Sequence, residues 1–327
     1  MTDRIIEYRE ALHEAMDEEM KRDPNVFTMG EDVGRYGGVM KVTDGLQEKY
    51  GLMRSVDTPI SEEGFTGLGV GAALAGLRPV IELMYIDFAG LAMDAIVNQA
   101  AKARYMFGGK ARVPMVIRTH GGAGRANAAQ HSQSLEAWFV HVPGLITIMP
   151  STPYDAKGLL KSSIRNDNPI IFIEDKILYN TKGPVPLEEY LVPIGKADIK
   201  RIGKDITIIA TSRMVLYALG AAEKLAEEGI DVEVVDPRTL SPLDVAVLAE
   251  SVKKTHRLLV VNEGNRTCGY AAEVVTRMYE EVFDYLDAPI VRLTSEDVPV
   301  PYSPTLEFAS FPDEARIIKE VRKFFEG

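Results

Sequence analysis

DITIIATS at residues 205–212 is a short apolar run rich in β-branched residues, and DVEVVDP at residues 231–237 is a second run of the same kind. Between them, Met214 to Glu228 places apolar residues three and four positions apart, which is the spacing of one helix face. Two apolar strands joined by a helix are typical of a parallel sheet whose strands are buried on both faces. This stretch therefore predicts an α/β fold with a parallel sheet.

The same alternation continues on both sides of this stretch. Helical spacing recurs over Pro242 to Lys254 and over Ala271 to Leu286. Further strand-like runs are VPMVIRT (113–119), GLITIMP (144–150), PIIFIED (169–175) and RLLVVNEG (257–264). Proline and glycine interrupt residues 180–201, which show no sustained periodicity. We expect two α/β domains, over residues 1–185 and 204–327, joined by a linker at residues 186–203.

Composition excludes several classes of protein. A chain of 327 residues exceeds the roughly 100–200 residues of a typical domain, and its net charge of −11 disfavours nucleic acid and anionic membrane as partners. The uncharged stretch Gly64–Leu77 is shorter than the roughly 18 apolar residues of a membrane span, and the opening residues lack the apolar core of a secretory signal. With Cys268 as the one cysteine, no intrachain disulfide forms, and we expect a cytoplasmic protein.

Nucleotide-binding motifs are incomplete. Gly69 and Gly71 begin a GxG pattern, but Leu74 occupies the position of the third glycine, and no GK pair is followed by Ser or Thr. Both the dinucleotide fingerprint and the phosphate-binding P-loop are therefore disfavoured, and with them an NAD-dependent dehydrogenase.

The stretch DTPISEEGF (57–65) leads into the glycine-rich segment Gly64–Gly76. Ser61 could cap a helix there, with Glu62 and Glu63 in the first turn offsetting the helix dipole. Alternatively, one of the two carboxylates serves in catalysis. Glycine costs a helix roughly 1 kcal/mol relative to alanine, so the segment also predicts close approach of another backbone, either at a subunit interface or at a cofactor.

His131 lies in AAQHSQSLEAWF (128–139), after the glycine-rich loop HGGAGRAN (120–127) and before a helical pattern. A histidine at such a junction can shuttle protons near neutral pH. It can equally cap or pack against the following helix, and the residues alone do not separate these alternatives.

Several motifs together resemble one family. In chain order they are GEDVG (30–34), DTPISEEGF, GLRPVIELMYIDF (76–88), NQAAKARYMFGG (98–109), AAQHSQS, PGLITIMPSTPYDAKGLL (143–160) and VDPRTLSPLD (235–244). This series is similar to the β subunits of thiamine-diphosphate-dependent 2-oxo acid dehydrogenases, which include pyruvate, branched-chain and acetoin-cleaving members. The resemblance runs through essentially the whole chain.

The resemblance implies an amino-terminal pyrimidine-binding domain followed by a transketolase C-terminal-like domain. At the matching positions, Glu62 is expected to hydrogen-bond the ring nitrogen of the cofactor's aminopyrimidine, and Phe88 to pack against that ring. His131 is expected to face the reacting intermediate and to assist acyl transfer to lipoyl. A monovalent cation site, suited to potassium, is implied at the matching positions Met115, Ser163, Ile164, Asn166 and Asn168. Asn166 stands where the family commonly has aspartate, and the acid follows it as Asp167.

The resemblance also implies that this chain holds half of an active site. Thiamine enzymes of this kind bind diphosphate through magnesium with a GDG motif, and no GDG occurs in the sequence. We therefore expect an α subunit to hold magnesium in an α2β2 heterotetramer, and a lipoyl acyltransferase to accept the acyl group. Motif spacing leaves the substrate open between a 2-oxo acid and acetoin. A noncatalytic assembly module that retained the fold is the alternative of another class.

Overall fold

The computed structural model describes residues 4–326, which divide into two compact units. The first unit runs to Gly121 and also includes Trp138–Ile194, whereas the second comprises Gly122–Ala137 and the chain from Gly195 onward. The segment Gly122–Ala137, which the sequence assigned to the first domain, thus groups with the second unit. Each unit contains a sheet flanked by helices, as the α/β fold class predicts.

The first unit holds the elements up to residue 185. Its strands are β1 (Arg4–Glu7), β2 (Val26–Gly30), β3 (Ser55–Asp57), β4 (Arg78–Leu83), β5 (Val116–Gly121), β6 (Ile146–Ile148), β7 (Ile170–Asp175) and β8 (Lys182–Val185). Its helices are α1 (Tyr8–Arg22), α2 (Leu46–Tyr50), α3 (Glu62–Leu74), α4 (Ala101–Met106), α5 (Glu136–Val140), which spans the division, and α6 (Pro153–Arg165). Ile86–Ala92 and Leu178–Asn180 form 3₁₀ turns, and Asp94–Ala100 is π-helical.

The main sheet of the first unit places β6, β7, β5, β4, β2 and β3 side by side, and every pairing among them is parallel. β1 pairs with β8 in a separate antiparallel ribbon. Parallel strands end at a common edge, where ligands of open α/β sheets bind. The residues that follow Gly30, Leu83, Gly121 and Asp175 therefore lie along one edge of this sheet.

The second unit is built around five strands in the order β14, β13, β10, β11, β9, with β9 antiparallel to its neighbour and the others parallel. Its strands are β9 (Asp198–Arg201), β10 (Ile206–Ala210), β11 (Val232–Asp236), β12 (Thr239–Ser241), β13 (Leu258–Asn265) and β14 (Val291–Ser295). Its helices are α7 (Arg213–Glu227), α8 (Val245–Thr255), α9 (Tyr270–Val282), α10 (Pro304–Ser310) and α11 (Glu314–Arg322), with a 3₁₀ turn at Phe283–Tyr285. Since β9 lies inside the predicted linker 186–203, part of that segment belongs to the second sheet.

Each of the six apolar runs identified in the sequence overlaps a strand, and the three periodic segments overlap α7, α8 and α9. Burial explains this agreement, because β10 and β11 are buried at every position and a strand covered on both faces is rich in apolar side chains. Over the described residues, no helix is both long enough and apolar enough to cross a membrane.

Candidate functional site

Glu62 is the first residue of α3, and its burial differs from that of its neighbour. Glu62 is 6% exposed, whereas Glu63 is exposed. Ser61 occupies the N-cap position but makes no side-chain capping hydrogen bond. The Ser61 side chain therefore does not cap the helix, and of the two adjacent carboxylates only Glu62 is withdrawn from water at the positive end of the helix dipole.

Glu31 is a second carboxyl at this place, and the sequence analysis did not single it out. It follows Gly30, the last residue of β2, and burial raises the pKa of Glu31, helped by the negative charges of Glu62 and Asp32. Its Oε1 is buried and has no hydrogen-bond partner among the described residues. Two neighbouring carboxyls favour retention of a proton, because ionising both costs Coulomb energy. In the sequence, the feature that could have pointed to Glu31 is its place in the motif GEDVG, which begins at the last residue of β2.

A buried ion cluster lies in the same sheet, across three adjacent strands. Arg118 on β5 is 2% exposed and donates from Nε and Nη2 to the two oxygens of Glu174 on β7, each at 2.8 Å. Its Nη1 donates to Glu82 Oε2 on β4 at 2.7 Å, and the Tyr179 hydroxyl donates to Glu174. Burial alone would lower the pKa of Arg118, but the two carboxylates raise it above its ordinary value. The arginine is therefore a fixed cation.

Glu82 is the residue of this cluster that links Arg118 to β4. Burial raises the pKa of Glu82; Arg118 opposes that effect, and the negative charge of Glu174 adds to it. One guanidinium thus balances two carboxylates, one of which binds it through both oxygens. A buried carboxyl in this position tends toward the neutral form, which keeps the interior charge near zero.

Phe88 lies in the 3₁₀ turn Ile86–Ala92 that follows β4, and its side chain is half-buried. The Phe88 ring meets Tyr85 edge to face, with centroids 5.7 Å apart, and Tyr85 meets His120 at 4.7 Å. α3 packs against this turn, so the helix that begins at Glu62 and the segment that carries Phe88 are neighbours in the first unit. An aromatic surface and a buried carboxyl therefore stand on adjacent elements.

Two glycines of α3 face open space. A Cβ at Gly69 would lie 2.8 Å from Ile81 Cδ1 and 3.1 Å from Met115 Cε, so close packing of the core requires glycine there. At Gly67 and Gly71 no atom of the described chain lies within 4 Å of a Cβ position, and Leu68 between them is 58% exposed. The sequence predicted that another backbone would approach this helix closely. At Gly69 the close neighbours are side chains of the same chain. At Gly67 and Gly71 no contact within the described chain explains why glycine is present.

His131 lies in the second unit, in a loop closed at its base by a hydrogen bond from Gly122 N to Gln133 O at 3.0 Å. Its backbone N–H donates to Ala128 O at 3.4 Å, and its side chain is partly exposed. α5 begins at Glu136, so His131 is not the N-cap of that helix. The capping alternative is thereby removed.

Four of the five carbonyl groups of the expected cation site accept hydrogen bonds within the described chain, two of them from Arg78. Arg78 Nε donates to Ile164 O at 2.8 Å and Nη2 to Asn166 O at 2.7 Å. Met115 O accepts from Ile170 N at 2.9 Å, and Ser163 O from Asn166 N at 3.1 Å. Asp167 pairs with Arg78 at 3.2 Å and with Arg112 at 3.1 Å. Within residues 4–326, no cluster of three His, Cys, Asp or Glu residues is arranged to hold a metal ion.

Comparison with known proteins gives concordant matches. The family described as "Transketolase, pyrimidine binding domain" matches residues 4–182, and "Transketolase, C-terminal domain" matches residues 195–317. The pyruvate dehydrogenase E1 component subunit beta of Rhizobium meliloti (strain 1021) is 49% identical over 315 residues, which cover 96% of this chain and 68% of that protein. The acetoin:2,6-dichlorophenolindophenol oxidoreductase subunit beta of Bacillus subtilis (strain 168) is 48% identical over 327 residues, covering 96% of each chain.

One solved structure has the same fold at low sequence identity. It is described as a split gene transketolase, inactive beta4 tetramer, and superposes with a TM-score of 0.79 at 22% identity, covering 97% of both chains. This similarity extends the fold match across nearly the whole chain.

Proposed function

The chain belongs to the transketolase-related β subunits of 2-oxo acid and acetoin dehydrogenases, and on that basis we propose that it supplies the proton-handling half of a thiamine diphosphate site. The observation that carries the proposal is the burial of Glu62 beside Glu31 at the carboxyl edge of the first sheet. The proposed reaction is the oxidative decarboxylation of a 2-oxo acid, with transfer of the acyl group to lipoyl. Acetoin cleavage is the second candidate, supported by the relative from Bacillus subtilis.

The residues at this edge fit the aminopyrimidine of the cofactor. Glu62 offers a buried carboxyl, Phe88 offers an aromatic face on the neighbouring turn, and Glu31 has an oxygen with no partner in the described chain. When bound, thiamine diphosphate supplies a nucleophilic carbon and an electron sink. Glu62 would hold a proton against the pyrimidine ring nitrogen, and Phe88 would orient the ring. Burial and the negative charges of Glu62 and Asp32 raise the pKa of Glu31, which disfavours a second negative charge beside Glu62.

We assign diphosphate and magnesium binding to an α subunit in an α2β2 heterotetramer. The sequence has no GDG motif, and the described residues form no acidic metal cluster. The open face of α3 around Gly67 and Gly71, with Leu68 exposed beside it, supports a partner whose backbone approaches this helix. A lipoyl acyltransferase as acyl acceptor belongs to the same proposal. The cytoplasmic location stays a prediction.

Replacing Glu62 tests the central residue of this site. In the complex reconstituted with an α subunit, Glu62→Gln should lower turnover by about 10² to 10⁴, because the amide cannot carry the proton. Glu63→Gln is the matched control, since this adjacent acid is exposed, and it should keep turnover near that of the unmodified chain. Equal turnover in the two variants, each shown to assemble, would remove the role of Glu62. Absence of turnover in the assembled complex with the unmodified chain would instead favour the noncatalytic assembly module.

His131 is proposed to assist transfer of the acyl group to lipoyl. Loss of a general acid–base group commonly costs about 10² to 10⁴ in rate, so His131→Ala should slow lipoyl acylation by that order and slow decarboxylation much less. Single-turnover measurements separate the two steps. His141→Ala, at an exposed histidine, is the control. Equal loss in both steps would contradict the assignment.

Potassium at Met115, Ser163, Ile164, Asn166 and Asn168 remains part of the proposal. Each expected ligand is a neutral carbonyl, which keeps a second lone pair after accepting one hydrogen bond, and such oxygens suit a monovalent cation. The Arg78 guanidinium already brings a positive charge to two of these oxygens. If potassium binds, exchanging potassium chloride for choline chloride at equal ionic strength should lower the unfolding midpoint of the chain. An unchanged midpoint would mean that Arg78 alone neutralises this turn.

A further inference from the structure

α10 (Pro304–Ser310) has the reverse of the usual distribution of side chains. Its buried residues are Glu307, at 0% exposed, and Ser310, whereas Leu306 is 58% exposed and Phe308 is 50% exposed. Burying a carboxylate costs free energy unless hydrogen bonds replace its water. Burial of apolar side chains therefore does not explain why Glu307 points inward. The explanation must lie in the hydrogen-bond partners of its carboxylate.

The partners of Glu307 are backbone N–H groups of the loop that leads to His131. Gly124 N donates to Glu307 Oε1 at 2.7 Å, and Ala126 N donates to Glu307 Oε2 at 2.9 Å. Hydrogen bonds to an ionised group are about twice as strong as neutral ones. Each oxygen of the carboxylate thus holds one end of the segment Gly124–Ala126.

This loop has a backbone that needs external support. Gly122 and Gly124 have φ values of 89° and 107°, and Ala126 and Ala128 have φ values of 52° and 60°. In the left-handed region the Cβ of a non-glycine residue crowds its own backbone, which disfavours this conformation. Two alanines in that region within three positions are strained, so contacts elsewhere in the unit must impose the shape of the loop.

A second pair of buried charges holds the start of the same loop. Ala123 N donates to Glu263 Oε1 at 2.6 Å, and Arg213 Nη1 donates to Ala123 O at 2.9 Å. Arg213 and Glu263 are themselves paired, with Nη2 and Oε2 2.5 Å apart. The loop is therefore fixed at Ala123 by an ion pair and at Gly124 and Ala126 by Glu307, and its base is closed between Gly122 and Gln133.

We propose that Glu307 is a positioning residue that fixes the His131 loop in the conformation used for acyl transfer. Its carboxylate makes no contact with substrate in this account and acts through the two N–H groups at Gly124 and Ala126. The proposal rests on the proposed function of His131, but the hold of Glu307 on the loop can be measured without turnover.

The first test is amide hydrogen exchange in the full chain carrying Glu307→Gln. Glutamine keeps the size of the side chain but turns one acceptor into a donor that faces a backbone N–H. Exchange in peptides covering residues 122–133 should accelerate about tenfold or more, since the variant loses a charge-assisted bond and leaves a buried donor unpaired. Glu320→Gln, which removes a surface pair with Lys323, is the matched control and should leave this loop unchanged. Unaltered exchange in the Glu307 variant would overturn the proposal.

The second test is a double-mutant cycle in the reconstituted complex. Glu307→Gln should slow lipoyl acylation more than decarboxylation in the presence of His131, and it should cause no further loss in the His131→Ala background. Glu307→Asp, which keeps the charge, should restore part of the rate, and it replaces the glutamine variant in both tests if that variant does not fold. Equal losses in the two backgrounds would show that Glu307 supports stability alone and would contradict the proposal. If His131→Ala itself leaves acylation unchanged, the function of His131 fails, while the exchange measurement still decides the hold of Glu307 on the loop.

Discussion

Arg118 places a full positive charge inside the first sheet, where Glu82 lies directly opposite it on β4 and Glu174 on β7 lies opposite His120. Its guanidinium joins Glu82 on β4 to Glu174 on β7 across β5, with Tyr179 donating to the same Glu174. Removing Arg118 would leave Glu82 and Glu174 buried without a cation, and breaking a buried ion pair in this way typically costs about 3–5 kcal/mol. The network therefore constrains the register of three central strands. At the end of the sheet nearest to it, β5 ends with His120 and Gly121, and β4 leads into the turn that carries Phe88.

At that edge the chain carries acids and aromatic rings but no metal cluster among the described residues. Glu62 begins α3, Glu31 follows β2, and Phe88 follows β4, so parallel pairing brings together residues that are far apart in sequence. A carboxyl pair of this kind can hold and pass a proton, but it cannot bind diphosphate. Two observations support completion of the site by a partner subunit. Gly67 and Gly71 of α3 have no close neighbours within the described chain, and the sequence lacks the diphosphate-binding motif.

The sequence predicted most of the fold, because strands buried on both faces are mostly apolar and the helices between them keep a clear period. β10, α7 and β11 were predicted from one stretch for this reason. The ion cluster was not foreseen, since Arg118 and Glu174 stand inside apolar runs where charge usually marks a strand end. Glu62, Phe88 and His131 were identified through family motifs. Glu31 and Glu307 were not predicted as functional residues, because the residues with which they interact lie on distant segments of the chain. A single sequence does not show which distant residues pair.

The most direct measurement is binding of thiamine diphosphate with magnesium, together with turnover on pyruvate, 3-methyl-2-oxobutanoate and acetoin using an artificial electron acceptor. It should be made on this chain alone and on the chain mixed with an α subunit that carries the diphosphate motif. The account predicts no tight binding and no turnover by the chain alone, and the appearance of both on mixing, with one substrate preferred. Turnover by the chain alone, or a stable magnesium-bound complex inactive on all three substrates, would contradict it.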